Sequence, residues 1–190
     1  MAARPMNLPS IAGVIEEFRR TLGEPARPPQ SGVLGLLLGL HHNNVVQWNR
    51  EDAARRDNAD DRAVAAAKRD IDALNAKRHE LVEAIDAALA ASLDQNPAAP
   101  PTTESPAMVF DRLSVLVIRM CFTKEAASSE RADRDLYAAR LPVLDEQLAL
   151  LQAGLEALFD DVRTGRKRFL PYQSLKLYGS DATRDMLDSS

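Results

Sequence analysis

The chain is poor in the residues that would staple, flatten or charge it. It has one cysteine, Cys121, among 190 residues, so no disulfide forms within it. Cys121 stands in the apolar run "VLVIRMCF", which reads as a packing thiol. Glycine (8) and aromatic residues (5%) are scarce and β-branched runs are short, which argues against sheets. The formal net charge is −4, too small for a field drawing the chain to nucleic acid or an anionic membrane surface. The longest apolar run, "VLGLLLGL" at 33–40, is far short of the ~20 residues that span a bilayer. "MAARPMNLPS" has no apolar signal core. The expectation is a soluble, cytoplasmic protein with no membrane or nucleic-acid partner.

Alanine and leucine dominate what remains, and their spacing predicts an all-α fold. The first helix is expected over 10–23, with Ser10 as N-cap and Gly23 just past its end. A second is expected over 32–57 and a third over 60–92, capped by Asn58 or Asp60. Ser105-Pro106 opens a fourth over 106–126, because proline fits the first helical position. "ASSERAD" interrupts or loosens it, and a last long helix ends near Arg163, before Gly165. The architecture expected is an antiparallel bundle of about five helices in one domain: two long hairpins plus an N-terminal helix. The Pro/Ala-rich stretch 94–104 reads as an exposed linker and 165–190 as an irregular tail.

Leu141, Leu144, Leu148, Leu151, Leu155, Leu158 and Val162 alternate at spacings of three and four, a heptad seam with no polar member. It suits either an internal core or a dimer seam. A homodimer is expected, since helices of this size leave apolar faces over.

The second helix raises the functional question. Leu34 and Leu37 share a face with His41, Asn44, Trp48, Glu51 and Arg55, so the apolar stripe turns polar without rotating away from the core. On the third helix Lys68, Ile71, Asn75, Arg78, Val82, Ile85 and Leu89 repeat the pattern, with Asp72 and His79 beside it. Two explanations compete. One is a buried polar network that fixes helix register, or simple exposure of the seams. The other is a ligand pocket between helices. Under the second, Arg55, Lys68 and Arg78 hold negative charge, Asn44 and Asn75 read hydroxyls, and Trp48 is a stacking surface. Asp52, Asp72, Asp111 and Arg112 complete the binding set, and His41 and Glu51 are the candidates for proton transfer. On the pocket reading, Arg78→Ala costs less than about 1 kcal/mol; on the network reading, about 3–5 kcal/mol. The pocket outcome is the one expected, with a sugar, sugar phosphate or nucleotide sugar as ligand.

Other chemistry finds no signature. No histidine has an acid three residues before it, as a di-iron bundle requires, and HExxH is absent. "GLLLG" lacks the lysine of a phosphate loop. His79, Glu83 and Asp86 share a face, but such a trio is commoner on a solvated surface than around a metal. No metal or cofactor is expected.

"LHHNNVVQWNREDAAR", "KRDIDALNAKRHELVEAID", "ESPAMVFDRLSVLVIRM" and "GRKRFLPYQSLKLYG" resemble successive blocks of the bacterial domain-of-unknown-function family four-two-five-four. The resemblance runs from about residue 10 to 180, apart from 94–104, and its pattern falls on His41, Asn44, Trp48, Glu51, Asp52, Arg55, Lys68, Asp72, Asn75, Arg78, Asp86, Asp111, Arg112 and Ser114. Ala107 stands where a glycine is expected, and after Phe122 the chain lacks the family's frequent histidine. The resemblance implies a helical cytoplasmic protein with no established activity. Its members tend to be encoded beside glycosyltransferases, which implies a glycoconjugate pathway. The rivals to a ligand-binding protein are a non-catalytic homodimeric or partner-binding scaffold and a chorismate-mutase-like helical enzyme. Whether any reaction is catalysed is left open by the residues.

Overall fold

The computed structural model describes residues 10–22, 31–54 and 61–175, with backbone alone for 61, 63 and 64. Among them five helices form: α1 (Ile11–Thr21), α2 (Gly32–Ala54), α3 (Asp61–Ser92), α4 (Pro106–Ser128) and α5 (Arg134–Arg163). Gly23, Asn58 and Asp60, expected at helix ends, lie outside the described residues.

The helices begin where the cap chemistry dictates. Ser10 Oγ accepts from the Gly13 N–H at 3.1 Å and Ser105 Oγ from the Met108 N–H at 3.4 Å, each satisfying a donor that has no partner within the helix. "ASSERAD" does interrupt: α4 stops at Ser128 and α5 starts at Arg134. Pro142 lies inside α5. Gly165, at φ 68°, takes the left-handed conformation just beyond the end of α5.

α2–α3 and α4–α5 are the two expected hairpins. α4 touches all four other helices, and α1 packs across α2, α4 and α5. The backbone of α5 comes close to neither α2 nor α3, and cavities lie between them. One apolar cluster joins every helix, with Phe18, Leu37, Ile85, Leu113 and Leu155 at its centre. The leucine seam is spent here. Leu144, Leu148, Leu155 and Val162 are buried in this cluster, while Leu151 and Leu158 pack against it. Cys121 is half-buried rather than buried, and burial pushes its thiol upward.

The connection 93–105 is tied to the segment after α5. The Thr102 N–H donates to the Arg168 carbonyl at 2.8 Å, the Arg168 N–H to Pro100 at 3.1 Å, and the Phe169 N–H to Gln95 Oε1 at 2.8 Å. Most of 94–104 is exposed, but Ala99 within it is buried. No helix among the described residues is long and apolar enough to cross a membrane.

Candidate functional site

The polar half of α2 enters the core beside α4. His41 Nδ1 lies 2.8 Å from Ser114 Oγ, and Asn44 Nδ2 donates to Ser114 Oγ at 3.1 Å and to Asp111 Oδ1 at 2.9 Å. Arg78, from α3, donates through Nε to both Asp111 carboxylate oxygens, at 2.8 and 2.9 Å, and through Nη2 to Oδ2. His41, Asn44, Asp111 and Ser114 are all buried. The Phe18 ring of α1 stacks on His41, with centroids 4.4 Å apart and planes 9° from parallel. Burial there lowers His41 from 6.5 to about 4, opposed by the Phe18 backbone and reinforced by His42, so the imidazole is neutral at neutral pH. The Arg78 guanidinium is raised, chiefly by its hydrogen bonds to Asp111 and against the pull of burial.

Hydrogen bonds join all five, although His41 Nε2, buried beneath the network, has no partner among the described residues. At the seam where a ligand was expected, the side chains of His41, Asn44 and Arg78 meet Asp111 and Ser114 and link α2, α3 and α4. Asn43 extends it by donating to the Leu74 carbonyl at 3.1 Å, and Gln47 by donating to Asn75 Oδ1 and Glu51 Oε1, each at 3.1 Å. Glu51 is half-buried on this side, near enough to Arg78 to favour its charge. Lys68 and Asp72 are exposed on α3. Arg55 lies outside the described residues.

Trp48 and Asp52 face elsewhere. They line a cleft of about 640 Å³ between the C-terminal part of α2, that of α4 and the start of α5. Trp48 lies parallel to Phe122, planes 2° apart and centroids 5.7 Å. Arg119, Arg131 and Arg140 line the same cleft. Arg131 and Arg140 place their guanidinium carbons 5.6 and 5.3 Å from the Tyr137 ring centre, on a third aromatic wall. Arg131 also donates to Asp133 at 2.9 and 3.1 Å. A second groove, of about 500 Å³, runs between α3, α4 and α5 and is edged by Arg78, Arg112 and Arg119. Arg112 pairs there with Glu104 at 2.6 Å.

The structure therefore divides the expected site. His41, Asn44, Arg78 and Asp111 meet in the core, Trp48 and Asp52 meet in the cleft, Asn75 and Glu51 meet through Gln47, and Arg112 stands at the second groove. Sequence reasoning left Arg119, Phe122, Arg131, Tyr137 and Arg140 out of the site. One signal was available: Arg119 is a cation inside "VLVIRMCF", seven residues after Arg112 and so on the same side of α4.

His79, Glu83 and Asp86 contact the segment after α5. The Tyr172 hydroxyl lies 2.8 Å from His79 Nδ1, the Ser174 N–H donates to Glu83, and the Tyr172 N–H donates to Asp86 Oδ2 at 3.0 Å. Asp86 Oδ1 also accepts from the Ala107 N–H at 2.9 Å, at the start of α4. Full burial raises the Asp86 carboxyl, against the hydrogen bonds from Ser105, Tyr172 and Ala107 that favour its charge.

The family described as "Protein of unknown function (DUF4254)" matches residues 35–170. That is well over half of the chain, and the chain belongs to this family. The match includes α4 and both cleft and core residues of α2 but stops short of α1, whose Phe18 seals His41. No curated protein and no solved structure matches the chain.

Proposed function

We propose that this protein is a homodimer that binds an anionic, ring-bearing small molecule, a sugar phosphate or nucleotide sugar, in the cleft between α2, α4 and α5. The supporting observation is the convergence of Arg119, Arg131 and Arg140 with Trp48, Phe122 and Tyr137 on one cavity of about 640 Å³. That volume lies within the range of small-ligand sites, roughly 300–1,000 Å³. Arginine presents planar, fork-shaped donors that match phosphate oxygens, while flat aromatic faces take a base or a sugar ring. Asn49 and Asp52 stand on the same wall as Trp48 and suit the reading of hydroxyls. The ligand class is the one first assigned to the α2–α3 seam; the arginines that serve it come from α4, α5 and the turn between them. A glycoconjugate pathway, implied by the family resemblance, fits such a ligand. His41 lies beneath Phe18 in the core, so the binding role does not draw on it.

Trp48 is the chain's single tryptophan, so its emission reports on the cleft directly. Titration with nucleotide sugars and sugar phosphates should change that emission saturably, free sugars much less. Arg119→Ala and Arg140→Ala should each weaken binding about tenfold or more, the worth of a charge-assisted hydrogen bond. No change in Trp48 emission or in melting temperature with any of these ligands at millimolar concentration would remove the reading.

A further inference from the structure

The outward face of α5 carries a second apolar line. Leu136, Val143 and Leu150 recur at intervals of seven and are 64, 54 and 66% exposed. Ala139, Glu146 and Ala153 fill the intermediate positions, so the outward face itself alternates at spacings of three and four, and all of these are exposed. This is not the core seam, since Leu144, Leu148 and Leu155 point inward. A single exposed leucine needs no explanation. Three at heptad spacing, with Ala139 and a single charge, Glu146, between them, make the narrow stripe that packs against one other helix.

We propose that this face docks on α5 of a second copy of the chain, as an antiparallel pair whose two-fold axis passes between Glu146 and Gln147. The inference rests on the homodimer reading and supplies its surface. The occupant follows from charge complementarity between Glu146 and the arginine-edged second groove, and the orientation from Glu146 itself. Glu146 is the lone charge in the stripe. A parallel pair would set Glu146 against its own copy, two like charges in contact. The antiparallel register that pairs Val143 with Leu150 sets Glu146 against Gln147 instead. Gln147 and Leu150 line the second groove, whose rim is Arg78, Arg112 and Arg119. Arg78 and Arg112 are paired with Asp111 and Glu104, whereas Arg119, which stands between this groove and the ligand cleft and lines both, makes no ion pair among the described residues. Glu146 of each copy thus enters a groove on the other that presents arginine, and the symmetry satisfies both at once. From Leu136 to Ala157 the stripe is about 32 Å long at 1.5 Å per residue. One helix pair of that length sits at the small end of specific interfaces, so a dissociation constant in the micromolar range is expected.

Sedimentation of the full chain across micromolar concentrations tests this. A concentration-dependent dimer is expected. Leu150→Arg, at a position exposed in the single copy, should weaken it about tenfold or more without loss of helical circular dichroism. Glu146→Arg and Arg119→Glu should each weaken it, and the two together should restore it. A wild-type chain that stays monomeric at high micromolar concentration overturns both the homodimer and this surface, leaving ligand binding to be judged by Trp48 emission. A dimer indifferent to Leu150→Arg and Glu146→Arg keeps the homodimer but overturns the surface. Two weakening single variants with no recovery in the double variant overturn the antiparallel register, and with it the proposal.

Discussion

Asp111 receives the Arg78 guanidinium side-on, with Nε 2.8 and 2.9 Å from its two oxygens and Nη2 closing the second contact. The carboxylate side chain is 9% exposed and the arginine 33%, so a charge rooted in the core is neutralised by one that reaches toward the surface. Asn44 binds the same carboxylate and passes the connection to Ser114 and His41. The polar turn of an apolar stripe in α2 is thereby explained: α4 presents Asp111 and Ser114 to it, and only polar partners can satisfy them.

Removing Arg78 should be costly. Arg78→Ala leaves the Asp111 charge in the core with Asn44 as its remaining partner. A loss of about 2–4 kcal/mol is expected, somewhat below a fully buried pair because the arginine is one-third exposed. This reverses the small cost predicted for an open pocket. Urea unfolding measures it, and replacing both partners with Arg78→Met and Asp111→Leu should recover much of the loss. A cost under about 1 kcal/mol would restore the pocket reading of the α2–α3 seam.

Acid should loosen the bundle through His41. Its value in the folded protein, about 4, is below the ordinary 6.5, so the unfolded chain binds the proton more readily. The contribution is complete above pH 6.5 and is lost as pH falls from there toward 4, to a total of roughly 3 kcal/mol. Asp86 acts in the opposite sense: its raised carboxyl makes stability fall as pH rises through the window just above its ordinary value of 3.8. Urea midpoints at pH 7 and pH 4.5 in wild type and His41→Gln separate the two. A pH dependence unchanged in His41→Gln would show that His41 does not carry it.

Asp86 should hold the C-terminal segment and the start of α4 together. It accepts from the Ala107 and Tyr172 N–H groups at 2.9 and 3.0 Å. Asp86→Ala strands these donors and should cost about 2–4 kcal/mol. Amide exchange at Tyr172 and Ser174 should rise with it. Asp86→Asn keeps an accepting oxygen and should cost less. Equal losses in the two variants would mean that the charge, not the acceptor, is what matters.

The outline of the fold was legible because each helix announces itself locally. Ser10 and Ser105-Pro106 mark starts, and leucines three and four apart mark buried faces. The core seam of α5 was legible as a seam, but its neighbour was not: the same spacing serves an internal core or a second chain. The outward stripe of Leu136, Val143 and Leu150 escaped notice because the richer inward one overlaps it in sequence.

The candidate site was half legible. Spacing within α2 correctly set His41, Asn44 and Trp48 along one side of a helix. It could not say that His41 and Asn44 would meet α4 while Trp48, farther along, would reach the cleft. What the sequence by itself determined is the set of helices, their caps and which residues share a face, because these follow from the 3.6-residue period and backbone hydrogen bonding over a few residues. What only the tertiary structure decided is which faces meet. Asp111 is 33 residues from Arg78 in the chain, and Ser114 is 73 from His41. Contacts at that range depend on how whole helices pack, with α4 touching all the others and α5 left apart from α2 and α3. That packing turned one polar stripe into a core network at one end and a wall of an arginine-lined cleft at the other.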